Sequence, residues 1–125
     1  MTALLADTHT LLWWRASKSR LSAAALEAME DGRRPLFFSA ASVWEIAIKR
    51  AKGKLEVPDL LLDTMQERGF AELKVSSRHA IRAGSLPPHH RDPFDRMLVA
   101  QAQSEGLTIV TLDPDIGAYD VPVLW

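Results

Sequence analysis

The sequence predicts an α/β fold: a three-layer α/β/α sandwich with a mostly parallel central sheet, formed by residues 1–125 as a single domain. Short apolar segments alternate along the chain with longer segments in which apolar residues recur at helical spacing. Neighbouring parallel strands need crossover connections, which helices usually supply, so this alternation favours parallel strands. A length of 125 residues with 47% hydrophobic content suits one domain with its own core.

Five short apolar segments are the predicted strands. The first is expected at the centre of the sheet and breaks at Asp7, whereas the third has alternating character and is expected at an outer position. The predicted strands are Ala3–Ala6, Leu36–Phe38, Phe70–Val75, Leu107–Leu112 and Val121–Trp125.

Helices are predicted where apolar residues recur at helical spacing between capping residues and glycine stops. Ser22 is a plausible cap of the second helix, and the third begins after Ser39 and ends before Gly53. The other predicted helices are Thr8–Trp14, Pro58 or Asp59 to Glu67, Ser76 or Ser77 to Ala83, and Asp92 to Gly106.

The segment from Asp92 to Asp115 contains most of the functional signal. Asp92 can cap a helix whose first turn contains Pro93, because proline lacks an N–H that would have no partner there. The strand that follows this helix ends at Asp113. The carboxyl ends of strands in an open α/β sheet are where such folds usually build their sites, so this acid is a candidate site residue.

Composition excludes several classes of function. The chain has no cysteine, which excludes disulfides, thiolate ligands and cysteine nucleophiles, and agrees with a cytoplasmic location. No signal pattern or membrane-spanning apolar segment is present, so we expect no membrane association. The formal charge of -1 gives no support of its own to nucleic-acid binding.

Four acids fall at one edge of the predicted sheet. Asp7 and Asp113 follow strands, whereas Glu45 and Asp95 lie in the first turns of helices that begin near the same edge. Each has an ordinary structural interpretation: Asp7 could cap a helix, and Glu45 could pair with Lys49 four residues on. All four would have to be structural for this edge to be inert, so we favour a functional site.

Clustered carboxylates repel one another, and a hard divalent cation such as Mg²⁺ or Mn²⁺ makes such a cluster tolerable. Zinc is a poorer match to an all-oxygen set. The sequence has no G-x-S-x-G turn and no phosphate-binding G-x-x-x-x-G-K motif. Metal-assisted hydrolysis of a phosphodiester is therefore the predicted reaction class.

Three segments resemble those of PIN-domain ribonucleases, in particular the VapC toxins of type II toxin–antitoxin pairs, and they follow one another in the order found in that family. They are DTHTLLW, SAASVWEIAIKRAKGKL and HRDPFDRMLVAQAQSEGLTIVTLD, and the match spans nearly the whole chain. The resemblance implies a Mg²⁺- or Mn²⁺-dependent endoribonuclease that cuts RNA and is silenced by a cognate antitoxin protein.

The resemblance also implies the roles of individual residues. Asp7 and Asp95 would be the principal metal ligands, and Glu45 and Asp113 would complete the acidic pocket. Glu45 or Asp113 would orient or deprotonate the attacking water. At the fourth position, Asp92 or Asp115 could take the place of Asp113. Thr8 and Thr111 match positions that flank the pocket.

Residues outside the acidic quartet are candidates for binding. Four cations could hold RNA phosphates, namely Arg15, Lys18, Lys49 and Arg96. His89 and His90 could touch phosphates, but we expect solvated histidines. The exposed parts of Trp13, Trp14 and Trp44 are candidate surfaces for the antitoxin or for a homodimer, which is the expected oligomeric state.

Two functions of other classes remain open. A phosphoacceptor signalling module also places carboxylates at the carboxyl edge of a parallel sheet, but we find no lysine after the last strands to engage a phosphoryl group. A catalytically silent RNA-binding domain would have only structural acids.

Overall fold

The computed structural model describes residues 2–55 and 61–125. Five strands form one sheet in the order β3-β2-β1-β4-β5, and all four strand pairings are parallel, which confirms the predicted sheet. The first strand is central and the third is at an edge, as predicted. The strands are β1 Leu4–Ala6, β2 Leu36–Ser39, β3 Ala71–Leu73, β4 Thr108–Val110 and β5 Val123–Leu124.

Seven α-helices lie within these described ranges. They are α1 Thr8–Ala16, α2 Ala23–Glu30, α3 Ala40–Ala51, α4 Leu61–Glu67, α5 Ser77–Ser85, α6 Pro93–Glu105 and α7 Pro114–Gly117. The short α7 and a 3₁₀ turn at Lys18–Arg20 were not predicted, because neither is long enough to show a period. The predicted start of the fourth helix, at Pro58 and Asp59, lies outside the described residues.

Alternation along β1 creates a core on each face of the sheet. Leu4 and Ala6 pack with α1, α2 and α4 on one face, whereas Leu5 packs with α6 and α7 on the other. All three side chains are fully buried. The sheet is therefore the middle layer of the predicted α/β/α sandwich. Because helices cover both of its faces, a site is expected at its carboxyl edge.

Caps fix where the helices begin and end around that edge. Ser39 ends β2 and caps α3 through a hydrogen bond from the Ala41 N–H to its Oγ at 3.0 Å. Gly106 ends α6 with a φ of 69°, a left-handed conformation that favours glycine. Within the described ranges, no helix has the length and apolar character that a bilayer crossing requires.

Candidate active site

Asp7 lies where the central strand β1 ends, and it is buried. Its Oδ1 accepts a hydrogen bond from the Thr10 N–H at 2.8 Å, which caps α1. Its Oδ2 accepts a hydrogen bond from the Thr111 hydroxyl at 2.5 Å, at the end of β4. Asp7 therefore caps α1, as the structural interpretation predicts. Its two hydrogen bonds also hold its carboxylate in one orientation between the ends of β1 and β4.

Glu45 lies on α3 and is only 4% exposed. Its Oε2 is 2.7 Å from Lys49 Nζ, so the i,i+4 ion pair is present, and this hydrogen bond holds the pKa of Lys49 above its usual range. Its Oε1 is buried without a hydrogen-bond partner among the residues that the structure describes. A buried carboxylate oxygen normally has a hydrogen-bond partner, so Oε1 is suited to contact a water molecule or a cation. The ion pair with Lys49 therefore explains the burial of Oε2 but not that of Oε1.

The helix that carries Glu45 is tied to the helix that Asp7 caps. The Thr8 hydroxyl donates a hydrogen bond to Ser42 Oγ at 2.9 Å, and both residues are buried. This contact joins α1 to α3 directly beside the two acids. Thr8 and Thr111 therefore both flank the acidic edge, as the resemblance implied.

Asp95 lies in the first turn of α6, after the Asp92 cap. Burial, followed by repulsion from Asp92, raises the pKa of Asp95 from 3.8 to about 7. Glu45 and Asp7 add to this repulsion, and His90 opposes it. The carboxylates of Asp7 and Glu45 are therefore close enough to Asp95 to interact with it electrostatically.

His90 connects Asp95 to Asp113, the fourth predicted acid. Its Nε2 lies 3.1 Å from Asp95 Oδ2 and 2.9 Å from Asp113 Oδ2. The Asp92 N–H donates to His90 Nδ1 at 3.1 Å, so in the neutral ring Nε2 carries the proton that faces the two carboxylates. Burial lowers the pKa of His90, but the hydrogen bond to Asp113 and the nearby acids outweigh it, and the pKa is raised.

The solvated interpretation of His90 was therefore wrong, whereas His89 is exposed as expected. The sequence signal that could have identified His90 is its position two residues before the Asp92 cap. A residue at that position lies beside the first turn of α6, where Asp95 was already a candidate.

Asp113, Asp115 and Asp92 are the candidates for the fourth acidic position. Asp113 caps α7 by accepting a hydrogen bond from the Asp115 N–H at 2.8 Å, and its own N–H donates to Thr111 Oγ1 at 3.0 Å. His90, Asp113 and Asp115 offer ligand atoms that lie within 4.8 Å of one another. Asp92 Oδ1 is occupied by the N–H groups of the first turn of α6.

Arg96 is not a surface phosphate ligand, which corrects the sequence expectation. Its Nη2 donates to the carbonyl oxygens of Ala83 and Leu86, each at 2.9 Å. Its Nη1 donates to the Pro87 carbonyl oxygen at 3.0 Å and lies 3.3 Å from the Tyr119 hydroxyl. The guanidinium therefore holds the loop before α6 against that helix, and this loop carries His90.

We expect Arg96→Ala to lower the free energy of unfolding by about 2–3 kcal/mol, because several carbonyl groups lose a charged donor together. The matched control is Arg91→Ala, an exposed arginine of the same loop, with an expected change within about 0.5 kcal/mol. Urea unfolding of both variants measures the difference. Equal stability of the two variants would contradict this role of Arg96.

The other predicted binding residues divide between surface and interior. Lys18 pairs with Glu30 at 2.8 Å on the surface, and Arg15 has a buried Nε.

Trp14 is 2% exposed, so it was wrong to expect a surface there. Trp44 is 63% exposed, and its ring meets Phe94 edge-on beside Glu45 and Asp95. Trp44 therefore stays a candidate contact surface, and Trp13 is half-buried.

The parallel sheet and the carboxylates gathered at its carboxyl edge define an α/β protein with an acidic candidate site. The chain belongs to the PIN domain family, whose model matches residues 4–122. It is 30% identical over 125 residues to Ribonuclease VapC22 of Mycobacterium tuberculosis, and the match covers 98% of this chain and 95% of that protein.

Solved structures share the fold at lower identity. A DNA-bound VapBC from Salmonella typhimurium superposes with a TM-score of 0.72 at 18% identity, covering 99% of this chain and 98% of that one. VapBC2 from Rickettsia felis, bound to a DNA fragment from its promoter, gives 0.73 at 12%, covering 98% and 97%. A toxin–antitoxin complex from Klebsiella pneumoniae gives 0.67 at 17%, covering 99% and 97%.

Proposed function

We propose that this chain is a Mg²⁺- or Mn²⁺-dependent endoribonuclease and the toxin of a type II toxin–antitoxin pair. The observation that carries the proposal is the cluster of carboxylates from four separate segments, Asp7, Glu45, Asp95 and Asp113, at one edge of the sheet. Similarity to a protein named a ribonuclease, and to structures of toxin–antitoxin complexes, supports it.

The residues at this edge fit a hard divalent cation. Burial and the neighbouring acids raise the pKa of Asp95, and Glu45 Oε1 is buried without a partner among the described residues. A cation would favour the ionised form of Asp95 and give Glu45 Oε1 a partner, directly or through water. We assign Asp7 and Asp95 as the principal ligands, completed by Glu45 and Asp113.

The mechanism divides the remaining work among the side chains. When bound, the ion would acidify a water molecule and offset charge that develops on phosphoryl oxygens. Glu45 is the residue suited to orient that water and accept its proton, because Oε1 has no other partner among the described residues. Asp113 is less suited, since both of its carboxylate oxygens already accept contacts. His90 holds Asp95 and Asp113 in position through Nε2.

Glu45→Gln is expected to reduce RNA cleavage by about 10²–10⁴-fold, the usual contribution of a positioned base. Glu27→Gln, an exposed glutamate on α2, is the matched control and should cleave normally. Cleavage rates of both variants, measured at saturating Mn²⁺, decide the question. If Glu45→Gln cleaved at the wild-type rate and lost only a little stability, its ion pair with Lys49 would be its whole role.

Stability without metal is expected to fall as pH rises from about 4 to about 7. Asp95 keeps its proton in the folded protein up to a pKa of about 7, whereas the unfolded chain loses it near 3.8. The folded state therefore binds more protons in this window, and each unit of pH costs stability. The raised pKa of His90 acts in the same direction, because its contribution is lost as pH rises through the folded pKa.

Divalent metal is expected to reverse this trend, since it binds ionised carboxylates best at higher pH. At one hundred times the dissociation constant, the gain is about 2.7 kcal/mol. Thermal melts in EDTA, and in Mn²⁺ matched with NaCl for ionic strength, measure both effects across the pH range. Equal melting temperatures in Mn²⁺ and NaCl at pH 8 would contradict a metal site.

The acidic edge also offers a target for an inhibitor, as the proposed toxin role requires. An antitoxin segment with an arginine could place its guanidinium against Asp7 and Asp95 in competition with the metal, through charge-assisted hydrogen bonds. Trp44 would supply an apolar anchor beside it. Trp44 is equally a candidate for the predicted homodimer interface.

The activity is tested by incubating the purified protein with structured RNA, with and without Mg²⁺ or Mn²⁺, and separately with acetyl phosphate. We expect metal-dependent cleavage and no phosphorylation of the protein. Formation of an aspartyl phosphate would indicate a phosphoacceptor module. Binding of RNA without cleavage or phosphorylation would indicate a silent RNA-binding domain.

A further inference from the structure

A cavity of about 290 Å³ opens directly beside the acidic edge. It lies between the start of α1 and the chain that follows β4. Its lining residues are Asp7, His9, Trp13, Leu112, Asp113 and Pro114. This volume is close to the lower limit of about 300 Å³ for small-ligand sites, so the cavity suits one ring system rather than a large ligand.

The cavity has one acidic side and one apolar side. Asp7 and Asp113 are the acidic part of the lining and belong to the proposed metal site. His9, Trp13 and Leu112 are the other part, which we call the apolar wall. The ring of His9 stacks on Trp13, with 5.8 Å between the ring centroids and 26° between the planes. Leu112 is 55% exposed. His9 is itself exposed, so the ring face away from Trp13 is the accessible one.

We propose that this cavity holds one nucleobase of single-stranded RNA, the base of a nucleotide next to the phosphate that is cut. The base stacks on His9, which Trp13 supports from behind, and its edge contacts Leu112. This proposal rests on the proposed ribonuclease function and adds the part of the substrate that the chain grips.

The charge of the lining favours a base over a phosphate in this position. Asp7 and Asp113 repel an anion, and the lining residues within the described ranges include no lysine or arginine. A nucleotide has a neutral planar end and a charged end, so one nucleotide can place its base on the apolar wall while its phosphate lies at the cation site. Aromatic and histidine rings are the surfaces on which proteins stack unpaired RNA bases.

The wall is held in place by contacts that do not involve its open surface. Arg20 lies over the Trp13 ring, with its guanidinium carbon 4.5 Å from the ring centroid, and Trp125 meets the same ring edge-on at 5.9 Å. Trp13 therefore cannot turn away without breaking both contacts. A preformed stacking surface loses little side-chain freedom when a base binds, which favours binding.

The test measures RNA binding separately from cleavage. Asp95→Asn serves as an uncleaving background, into which His9→Ala and Leu112→Ala are introduced one at a time. Both side chains are exposed, so both variants should fold, which circular dichroism checks. Ile81→Ala, a 71% exposed apolar residue on α5, is the surface control. The probes are an unstructured RNA of about 12 nucleotides and an abasic strand with the same sugar–phosphate backbone.

We expect each cavity variant to weaken binding of the RNA about tenfold, equivalent to about 1.4 kcal/mol, and to leave binding of the abasic strand unchanged. The salt dependence of binding should stay the same, because no phosphate contact is lost. Equal weakening for both probes would overturn the proposal, and so would an effect no larger than that of Ile81→Ala. Loss of antitoxin binding alone would assign the cavity to the protein partner instead.

Failure of this proposal is distinguishable from failure of the ribonuclease function. If the wild-type protein cuts RNA while both cavity variants bind it normally, only the base site is overturned. If the wild-type protein neither binds nor cuts RNA in Mn²⁺, the ribonuclease function fails, and the base site fails with it.

Discussion

Asp95→Asn is expected to abolish RNA cleavage and, at pH 8, to stabilise the metal-free protein. The activity should fall by more than about 100-fold, because even residues that only orient a metal ligand contribute about 10–100-fold. The free energy of unfolding should rise because the substitution removes a carboxyl group that is ionised at pH 8. Burial and acidic neighbours disfavour this ionised form and raise the pKa of the group to about 7. A loss of cleavage together with a gain of stability is expected of an acidic site that needs a bound cation to balance its charge.

Asp7→Asn should also abolish cleavage without unfolding the chain. Asparagine caps helices about as well as aspartate, so the hydrogen bond from the Thr10 N–H can persist. Cleavage rates and urea unfolding in EDTA measure both properties. Asp63→Asn, an exposed aspartate on α4, is the control and should change neither. Wild-type cleavage by either site variant would remove that residue from the metal site.

Production of the protein alone in a bacterial host is expected to arrest growth, and co-production of the expected antitoxin protein should restore growth. An unrestrained ribonuclease in the cell would cut host RNA, so the proposed activity requires a paired inhibitor. Growth curves with and without the antitoxin measure this effect.

The Asp95→Asn protein should be harmless at the same level of expression, which attributes toxicity to the acidic site. Arrest by this variant as well would point to toxicity unrelated to cleavage. Harmless overproduction of the folded, metal-loaded wild-type protein would contradict the toxin role and leave a housekeeping nuclease as the best account.

The sheet and the acidic edge were predictable because their signals are local. A short buried segment such as Leu4–Ala6 is recognisable from its composition, and parallel order then places every strand end at one edge. Asp7 and Asp113 follow from that rule alone. Their capping interactions, which a purely structural interpretation also predicts, are present too, and capping does not exclude the roles that we propose for these acids.

The parts that could not be predicted depend on contacts between distant segments. His90 meets Asp113 across 23 positions, and Arg96 meets Ala83 across 13 by way of a loop whose path the sequence does not specify. Near the N-terminus, large apolar residues follow one another without a clear period. Only the packing shows that Trp14 faces the core while Trp13 borders the cavity.

The chemical ends of the RNA products test the central claim most directly, namely that the clustered acids hold a cation with which water cuts RNA. Attack by water leaves a linear phosphate on one product, whereas attack by the neighbouring 2′-hydroxyl leaves a 2′,3′-cyclic phosphate. Mass spectrometry of the products, with Mn²⁺ and with EDTA, distinguishes the two reactions. We expect linear phosphate ends with Mn²⁺ and intact RNA in EDTA, whereas cyclic phosphate ends formed equally in EDTA would contradict the account.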